Sequence, residues 1–172
     1  MRGYEATSLQ DLVNCTGVNR ASLYATYGDK HELFLSALRH YDTKVRRNLL
    51  ESLEAKYGPR DAIHQVFLTF LGGMSDGRSN KGCFVTNTAL ELAPHDPEVG
   101  ELVAHTQREI ESFFLRMVKK GKASGEVTSS SKPTDISRGL LASLIGLVVL
   151  VRSRPDMALL NSIIQEAMRR LD

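Results

Sequence analysis

Apolar residues recur three and four positions apart along nearly the whole chain, which is the period of an amphipathic α-helix. The clearest stripe consists of Ala62, Ile63, Val66, Phe67, Phe70, Leu71 and Met74. A second stripe runs through Val99, Leu102, Val103, Ile110, Phe113, Phe114 and Met117. No segment shows the sustained alternation of apolar and polar residues that indicates a half-buried strand. The pattern therefore predicts an all-α fold.

Capping residues place the ends of these helices. Ser8 has an acid three residues later, as in a capping box, and Gly17 suits the end of the first helix. Asn19 and Asp29 are good caps for the next two helices. The predicted helices cover about 9–16, 19–26, 30–56, 62–74, 83–92, 97–124, 134–153 and 156–171, with a polar loop over 75–82.

The first three predicted helices have the arrangement of a helix-turn-helix, in which the second helix enters the major groove of DNA. Between Leu12 and Gly28 the only charged residue is Arg20, which suits a surface that approaches phosphates. We expect Val18 and Leu23 to point inward. The residues expected on the exposed face are Asn19, Arg20, Ser22, Ala25 and Thr26. The pattern alone leaves an alternative open, because helix–Gly–helix hairpins also occur in proteins that do not contact DNA.

Residues 3–34 resemble the signature of the TetR family of bacterial regulators. They contain the strings GYEATSL, GVNRASLY and YGDKHELF, which begin at Gly3, Gly17 and Tyr27. The resemblance implies a helix-turn-helix domain in residues 1–43 and a helical ligand-binding and dimerisation bundle in residues 44–172. It also implies roles in DNA binding, with Lys30 at the phosphate backbone and Ser8 and Asn19 as caps near phosphates. The residues implied to face DNA directly are Arg20, Ser22, Tyr24 and Thr26.

Members of that family carry a further helix ahead of the position of Gly3, whereas this sequence starts almost at the motif. Without such a helix, the inward faces of the first two helices would lose their cover. Exposing a large apolar side chain costs about 1.5–3 kcal/mol, and several together approach the stability of a small domain. We therefore expect this sequence to be a truncated form of a longer protein. The side chains expected to lose cover are Leu9, Leu12, Val13 and Leu23.

The segment Gly139–Val151 is apolar nearly all round, so it must be buried nearly all round. It is shorter than the span of about 20 residues that crosses a membrane. We predict that it forms a four-helix dimer interface with the last helix and a second copy of both; the alternative is a plain core helix. The predicted interface residues are Leu140, Leu144, Leu147, Val148, Val151, Leu160, Ile164 and Met168.

We expect a ligand pocket among the middle helices, with mostly apolar walls and a few polar anchors. Asn87 and Glu91 are unexpected on an inward helix face and are the candidate anchors, although they would equally suit a solvent-facing or helix-contacting position. Cys83 lies near a helix N-terminus, so it is either a redox-sensing thiol or a buried structural one. The predicted pocket residues are Phe67, Phe70, Met74, Cys83, Asn87, Glu91, Phe113, Phe114 and Met117, and each apolar member alternatively belongs to the core.

Composition narrows the class of protein. The net charge is only +2, so any contact with DNA must be local rather than a general coating. Cys15 and Cys83 lack the spacing of a metal site or a disulfide framework, which predicts a reduced cytoplasmic protein. No metalloprotease motif, nucleophile elbow or phosphate-binding glycine loop is present, so we expect no enzyme, no metal and no cofactor.

Together these observations predict a ligand-responsive transcriptional repressor. We expect a homodimer that binds a near-palindromic double-stranded DNA operator, responds to an unidentified small-molecule effector and has no membrane partner. The alternative is a dimeric helical protein that binds a small molecule without contacting DNA.

Overall fold

The computed structural model describes residues 3–75 and 82–172, and the side chains of residues 73–75 lie outside that description. Its described part is helical throughout and contains no strand, which confirms the all-α prediction. A π-helical segment, Tyr41–Arg47, joins the third helix to the fourth. The α-helices are α1 (Leu9–Thr16), α2 (Arg20–Tyr27), α3 (Lys30–His40), α4 (Asn48–Lys56), α5 (Pro59–Ser75), α6 (Phe84–Glu91), α7 (Pro97–Ser124), α8 (Pro133–Ser153) and α9 (Met157–Arg169). The loop predicted over 75–82 lies mostly outside the described residues.

The helix ends in the N-terminal region follow the predicted caps. The Asp11 backbone N–H donates to the Ser8 hydroxyl at 3.1 Å, and the Ser8 backbone N–H donates to the Asp11 carboxylate at 2.9 Å. Gly17 ends α1 in the left-handed region at φ 71°. The Asn19 side chain then accepts a hydrogen bond from the first turn of α2. These local contacts hold α1 and α2 in the helix-turn-helix arrangement.

The long helix predicted over 30–56 has the expected extent but contains the π-helical segment. Inside that segment Arg46 donates two hydrogen bonds to the Asp42 carboxylate, at 2.6 and 3.1 Å. The Thr106 hydroxyl of α7 donates a third, at 2.8 Å. Burial opposes ionisation of Asp42, but these hydrogen bonds and the Arg46 charge outweigh it and hold the pKa of Asp42 below its ordinary value. A buried ion pair within the connecting helix is therefore joined to the C-terminal body by the hydrogen bond from Thr106.

Two apolar clusters hold the molecule together. The larger lies among α4, α5, α7, α8 and α9 and includes Phe67, Phe113, Phe114 and Met117, which are at most 1% exposed. The smaller joins Leu35 and Leu38 of α3 to residues of α6 and α7. Because α3 also packs against α2, the smaller cluster attaches the helix-turn-helix unit to the body.

Helix α8 has 21 residues and is long and apolar enough, by length and composition, to cross a membrane. The apolar run of Gly139–Val151 is itself shorter than a span, but the helix that contains it extends beyond the run at both ends. In the structure α8 packs against α5, α7 and α9. Seven of its residues are buried there, as in the core helix of a folded bundle.

The structure corrects the predicted interface residues. Seven of the eight predicted side chains are between 0 and 4% exposed because they pack in the subunit's own core, so they offer no surface to a second copy. They are Leu140, Leu144, Leu147, Val148, Val151, Leu160 and Ile164, while Met168 is half-buried against the same core. The opposite face of α8 is the accessible one, with Ala142 and Val149 exposed.

Candidate DNA-binding surface and adjoining groove

Helix α2 presents the polar face that the sequence predicts. Asn19, Arg20, Ser22, Ala25 and Thr26 are exposed, as expected, and so is Tyr24. The Arg20 guanidinium lies 5.6 Å from the centroid of the Tyr24 ring, so the two side chains lie together on one face. This face therefore offers a cation, a phenol and hydroxyls, which are groups that can bind base edges and phosphates. No acidic residue lies between Leu12 and Gly28 to repel the phosphates.

The inward side of the helix-turn-helix unit agrees only in part with the sequence predictions. Leu23 is 7% exposed, so it points inward as predicted, and the expectation that it lacks cover was wrong. Val18 is 41% exposed, because it faces an open groove instead of a helix, and its inward prediction was wrong. Helix α1 has no buried residue, and Leu9, Leu12 and Val13 remain half-buried.

Two further candidate contacts differ in their surroundings. The Lys30 ammonium lies in the first turn of α3, with its nitrogen 4.1 Å from the centroid of the Tyr4 ring. Ser8, in contrast, donates its hydroxyl proton to the Asp11 carboxylate at 2.6 Å. Because that carboxylate is negative and occupies the hydroxyl proton, Ser8 is poorly placed for a phosphate.

A groove of about 940 Å³ separates the helix-turn-helix unit from α6. Its lining includes Asn87 and Glu91, two of the predicted pocket residues, but the predicted aromatic walls are elsewhere. Phe67, Phe113, Phe114 and Met117 pack in the larger core, Phe70 is half-buried against it, and the Met74 side chain lies outside the described residues. The structure thus favours the core interpretation of these apolar residues. The apolar part of the groove comes from Leu12, Val18, Leu23, Leu33, Phe34, Phe84 and Leu90.

Asn87 and Glu91 have protein partners, which fits the alternative that they face neighbouring segments. The Asn87 side-chain oxygen accepts from Arg152 of α8 at 3.0 Å. The Glu91 carboxylate accepts the backbone N–H of Glu5 at 3.1 Å. The φ of Gly3 is +76°, which favours glycine, and a Cβ there would lie 2.6 Å from the same carboxylate, so the Glu91 side chain would have to shift.

Two polar side-chain contacts also bridge α3 to the start of α7. His31 Nε2 lies 2.6 Å from the Asp96 carboxylate, and Arg39 donates to Glu98 at 2.6 Å. The Val99 backbone N–H and then the His31 ring hold the pKa of Asp96 below its ordinary value. These contacts and the Glu91 bond fasten the helix-turn-helix unit to the α6–α7 corner at several points.

A row of four aromatic rings crosses the same junction, and the sequence analysis missed it. Ring centroids are 5.0 Å apart for Tyr4 and Phe34, 5.4 Å for Phe34 and Phe84, and 5.7 Å for Phe84 and Tyr41, all edge-to-face. The Tyr41 hydroxyl lies 3.8 Å from the Cys83 sulfur, and burial raises the pKa of Tyr41. Tyr4 and Phe34 lie in the signature strings, but nothing in the sequence showed that α6 contributes the ring between Phe34 and Tyr41.

Among the described residues no cluster of three or more His, Cys, Asp or Glu side chains is arranged to hold a metal. Cys83 is half-buried at the start of α6 and packs against both apolar clusters, whereas Cys15 is exposed on α1. The described side chains thus form an exposed, acid-free face on α2 and a junction that links this face to the body.

Comparison with known proteins agrees with this architecture. Residues 1–37 match the family model of bacterial regulatory proteins of the tetR family, and residues 59–168 match that of the tetracyclin repressor-like C-terminal domain. The residues between the two matches, 38–58, contain the π-helical segment and α4.

Two curated relatives align along almost the whole chain. The uncharacterized HTH-type transcriptional regulator YezE of Bacillus subtilis is 35% identical over 173 residues, covering 99% of this chain and 88% of the relative. The HTH-type transcriptional repressor ComR of Escherichia coli is 24% identical over 168 residues, covering 97% of this chain and 80% of the relative.

Solved structures show the same fold. A cysteine mutant of the TetR family regulator CifR, complexed with 26-bp double-strand operator DNA, superposes with a TM-score of 0.83 at 25% identity, covering 100% of this chain and 90% of that one. The reduced form of Escherichia coli NemR superposes with a TM-score of 0.89 at 17% identity, covering 99% of this chain and 88% of that one. The chain therefore belongs to the TetR family of bacterial regulatory proteins, which are helix-turn-helix transcriptional regulators rather than enzymes.

Proposed function

We propose that this protein is a ligand-responsive repressor that binds a near-palindromic operator as a homodimer in the bacterial cytoplasm. The observation that carries the proposal is the exposed, acid-free face of α2, directly after the left-handed turn at Gly17. Two relatives support it: ComR is named a repressor, and CifR was solved with operator DNA. Positive charge without nearby acids is what a helix in the major groove needs.

Each residue of that face has a distinct proposed role. Arg20 reads a base edge, because its fork of donors matches the two acceptors of guanine. Ser22, Tyr24 and Thr26 donate hydroxyl hydrogen bonds to phosphates or bases, and the amide group of Asn19 does the same beside the helix start. Lys30 neutralises a backbone phosphate from the first turn of α3. We assign Ser8 to capping α1, since its hydroxyl is engaged with Asp11.

The homodimer places two such helices on successive major grooves, about 34–36 Å apart. We propose that the accessible face of α8 forms the contact between subunits. It combines exposed Val149 and Ala142 with half-buried Leu141 and Ile145. At Gly146 a Cβ would meet no atom within 4 Å, so a helix of a second copy can approach the backbone closely there.

We propose that the effector acts at α6, which touches both the body and the helix-turn-helix unit. Cys83 at its start packs against both apolar clusters, and Glu91 at its end holds the segment before α1. A ligand or a thiol modification that displaces α6 would change the attachment of the DNA-binding unit. A coupling of about 1–3 kcal/mol between the sites gives roughly 5- to 150-fold release from DNA.

The test is operator binding by the full chain. DNA from upstream of the protein's own gene is titrated at fixed salt by fluorescence anisotropy, and Arg20→Ala combined with Tyr24→Phe is expected to abolish the specific complex. Arg108→Ala, which removes an exposed arginine from α7, is the matched control and is expected to bind like the parent. Equal affinity of the parent for this DNA and for a scrambled duplex, or retained binding by the double variant, would contradict the proposal.

A further inference from the structure

The aromatic row runs from the body of the protein to a residue proposed to contact DNA. At one end the Lys30 ammonium lies over the Tyr4 ring, 4.1 Å from its centroid. The Tyr4 ring meets Phe34 of α3, which in turn meets Phe84 in the first turn of α6. All three rings are half-buried and pack against the smaller apolar cluster. The environment of Lys30 is therefore linked by direct contacts to the start of α6.

A second link joins the same two places through the backbone. Glu91, the last residue of α6, accepts the N–H of Glu5, the residue after Tyr4. The Thr7 N–H donates to the Tyr4 carbonyl at 3.2 Å, which closes the turn that carries the ring. Both ends of α6 thus reach the segment that carries Tyr4: Phe84 through the intervening Phe34 ring, and the Glu91 carboxylate through the backbone N–H of the next residue, Glu5.

We propose that Tyr4, Phe34 and Phe84 are positioning residues for the Lys30 ammonium, so that α6 controls a phosphate contact that Lys30 makes. This inference rests on the proposed contact of Lys30 with DNA. A lysine side chain is flexible, and the face of an aromatic ring attracts its cation. Ordering the ammonium before binding reduces the entropy that the DNA contact would otherwise cost. A displacement of α6 moves Phe84 away from Phe34, so Phe34 is no longer held in its edge-to-face contact with the Tyr4 ring, and the ammonium is released.

The binding experiment measures operator affinity over a series of KCl concentrations, with a duplex selected from random sequence by the full chain. Lys30→Met should lower the slope of log affinity against log salt by about 0.9, the value for one phosphate contact. Tyr4→Leu and Phe84→Leu should each weaken binding about two- to five-fold and lower the same slope in part. Both effects should disappear when Lys30→Met is already present.

Two controls separate positioning from general damage. Tyr4→Phe keeps the ring and should bind like the parent, whereas Phe70→Leu removes a half-buried ring that packs against the larger cluster and should leave the salt slope unchanged. Circular dichroism reports folding of each variant. Phe84→Met replaces Phe84→Leu if the latter does not fold.

A measurement without DNA gives an independent result. Lysine amines are reductively methylated, which keeps their charge, and the Lys30 methyl resonance should be shifted upfield by the Tyr4 ring. That shift should be lost in Tyr4→Leu and reduced in Phe84→Leu. An unshifted Lys30 resonance in the parent, an unaltered shift in Phe84→Leu, or equal effects of the ring variants with and without Lys30→Met would overturn the inference. A parent that binds DNA without dependence on Lys30 would instead contradict the proposed role of Lys30 itself, and with it this inference.

Discussion

Replacing Asp42 by Asn tests the buried ion pair of the connecting helix, to which Thr106 of α7 is hydrogen-bonded. Asp42 and Arg46 are each only 8% exposed, and the Asp42 carboxylate accepts three hydrogen bonds from Arg46 and Thr106. The amide has the same shape but no charge, so the Arg46 guanidinium is left buried without its counter-ion. Breaking a buried pair from one side costs about 3–5 kcal/mol. Because Asp42 also borders a cavity of about 250 Å³ that water can enter, we expect a loss of about 3 kcal/mol, the low end of that range.

The assay is urea unfolding followed by circular dichroism, at one fixed protein concentration because dimerisation would contribute to stability. Removing both charges in Asp42→Asn with Arg46→Met should restore part of the loss, since the second change removes the uncompensated cation. Asp61→Asn, at an exposed acid of α5, should change the free energy of unfolding by no more than about 0.5 kcal/mol. The assignment of a stabilising buried pair is wrong if Asp42→Asn behaves like Asp61→Asn. It is also wrong if the losses caused separately by Asp42→Asn and by Arg46→Met simply add in the double variant.

The same pair makes a prediction about pH. The folded-state pKa of Asp42 lies below its ordinary value of 3.8, so its contribution is fully present above 3.8 and is lost as the pH falls through the lower folded-state pKa. The difference in unfolding free energy between parent and Asp42→Asn should therefore narrow in that acid range. A difference that stays constant from neutral pH to below 3.8 would show that the carboxylate charge is not responsible.

Three other changes address the junction, the subunit contact and the thiol. Gly3→Ala forces a side chain toward the Glu91 carboxylate at a positive φ, so it should lower thermal stability and weaken operator binding, with backbone strain alone worth about 1–3 kcal/mol. Val149→Arg places a charge on the accessible face of α8 and should convert the dimer to monomers in sedimentation velocity. Cys83→Ser should abolish release from operator by N-ethylmaleimide and leave binding without the reagent unchanged, because only the thiol reacts.

Each of these changes has a matched control. Gly17→Ala imposes the same positive φ where a Cβ meets no atom within 4 Å, so equal effects of the two glycine variants would refute a role for the Glu91 contact. Val45→Arg alters another exposed valine, on the π-helical segment, and should leave the dimer intact. If both arginine substitutions dissociate the dimer, or if neither does, the assignment of α8 as the interface is wrong. Cys15→Ser keeps Cys83 and should respond like the parent, so equal release of Cys83→Ser would end the thiol hypothesis.

The local features of the helix-turn-helix could be predicted from the sequence because they depend on residues close together in the chain. The bonds between Ser8 and Asp11 and the cap at Asn19 join residues three positions apart. The exposed face of α2 follows from helical period in the same way. The family resemblance likewise rests on one continuous segment, and the matches to residues 1–37 and 59–168 confirm it.

The hydrogen-bond partners of Glu91 and Asn87 could be identified only from the tertiary structure. Glu91 bonds to a residue 86 positions earlier, and Asn87 to one 65 positions later. No helical period reports such pairs, so both residues looked equally suited to a ligand, to solvent or to another helix. The pair of Asp42 and Arg46 is visible as a spacing of four, but its burial depends on the approach of Thr106 from α7.

The sequence also could not predict which face of α8 is buried, for a physical reason. A helix that is apolar nearly all round has little amphipathic asymmetry, so its pattern predicts burial without indicating which side its own subunit covers. Packing against α5, α7 and α9 made that choice and left Val149 and Ala142 exposed. Sequence thus determined the helices, their caps and the exposed polar face of α2 through short-range hydrogen bonds and periodicity. Tertiary packing alone decided which surfaces remain open and how α6 joins the body to Lys30, because those contacts are made between segments distant in the chain.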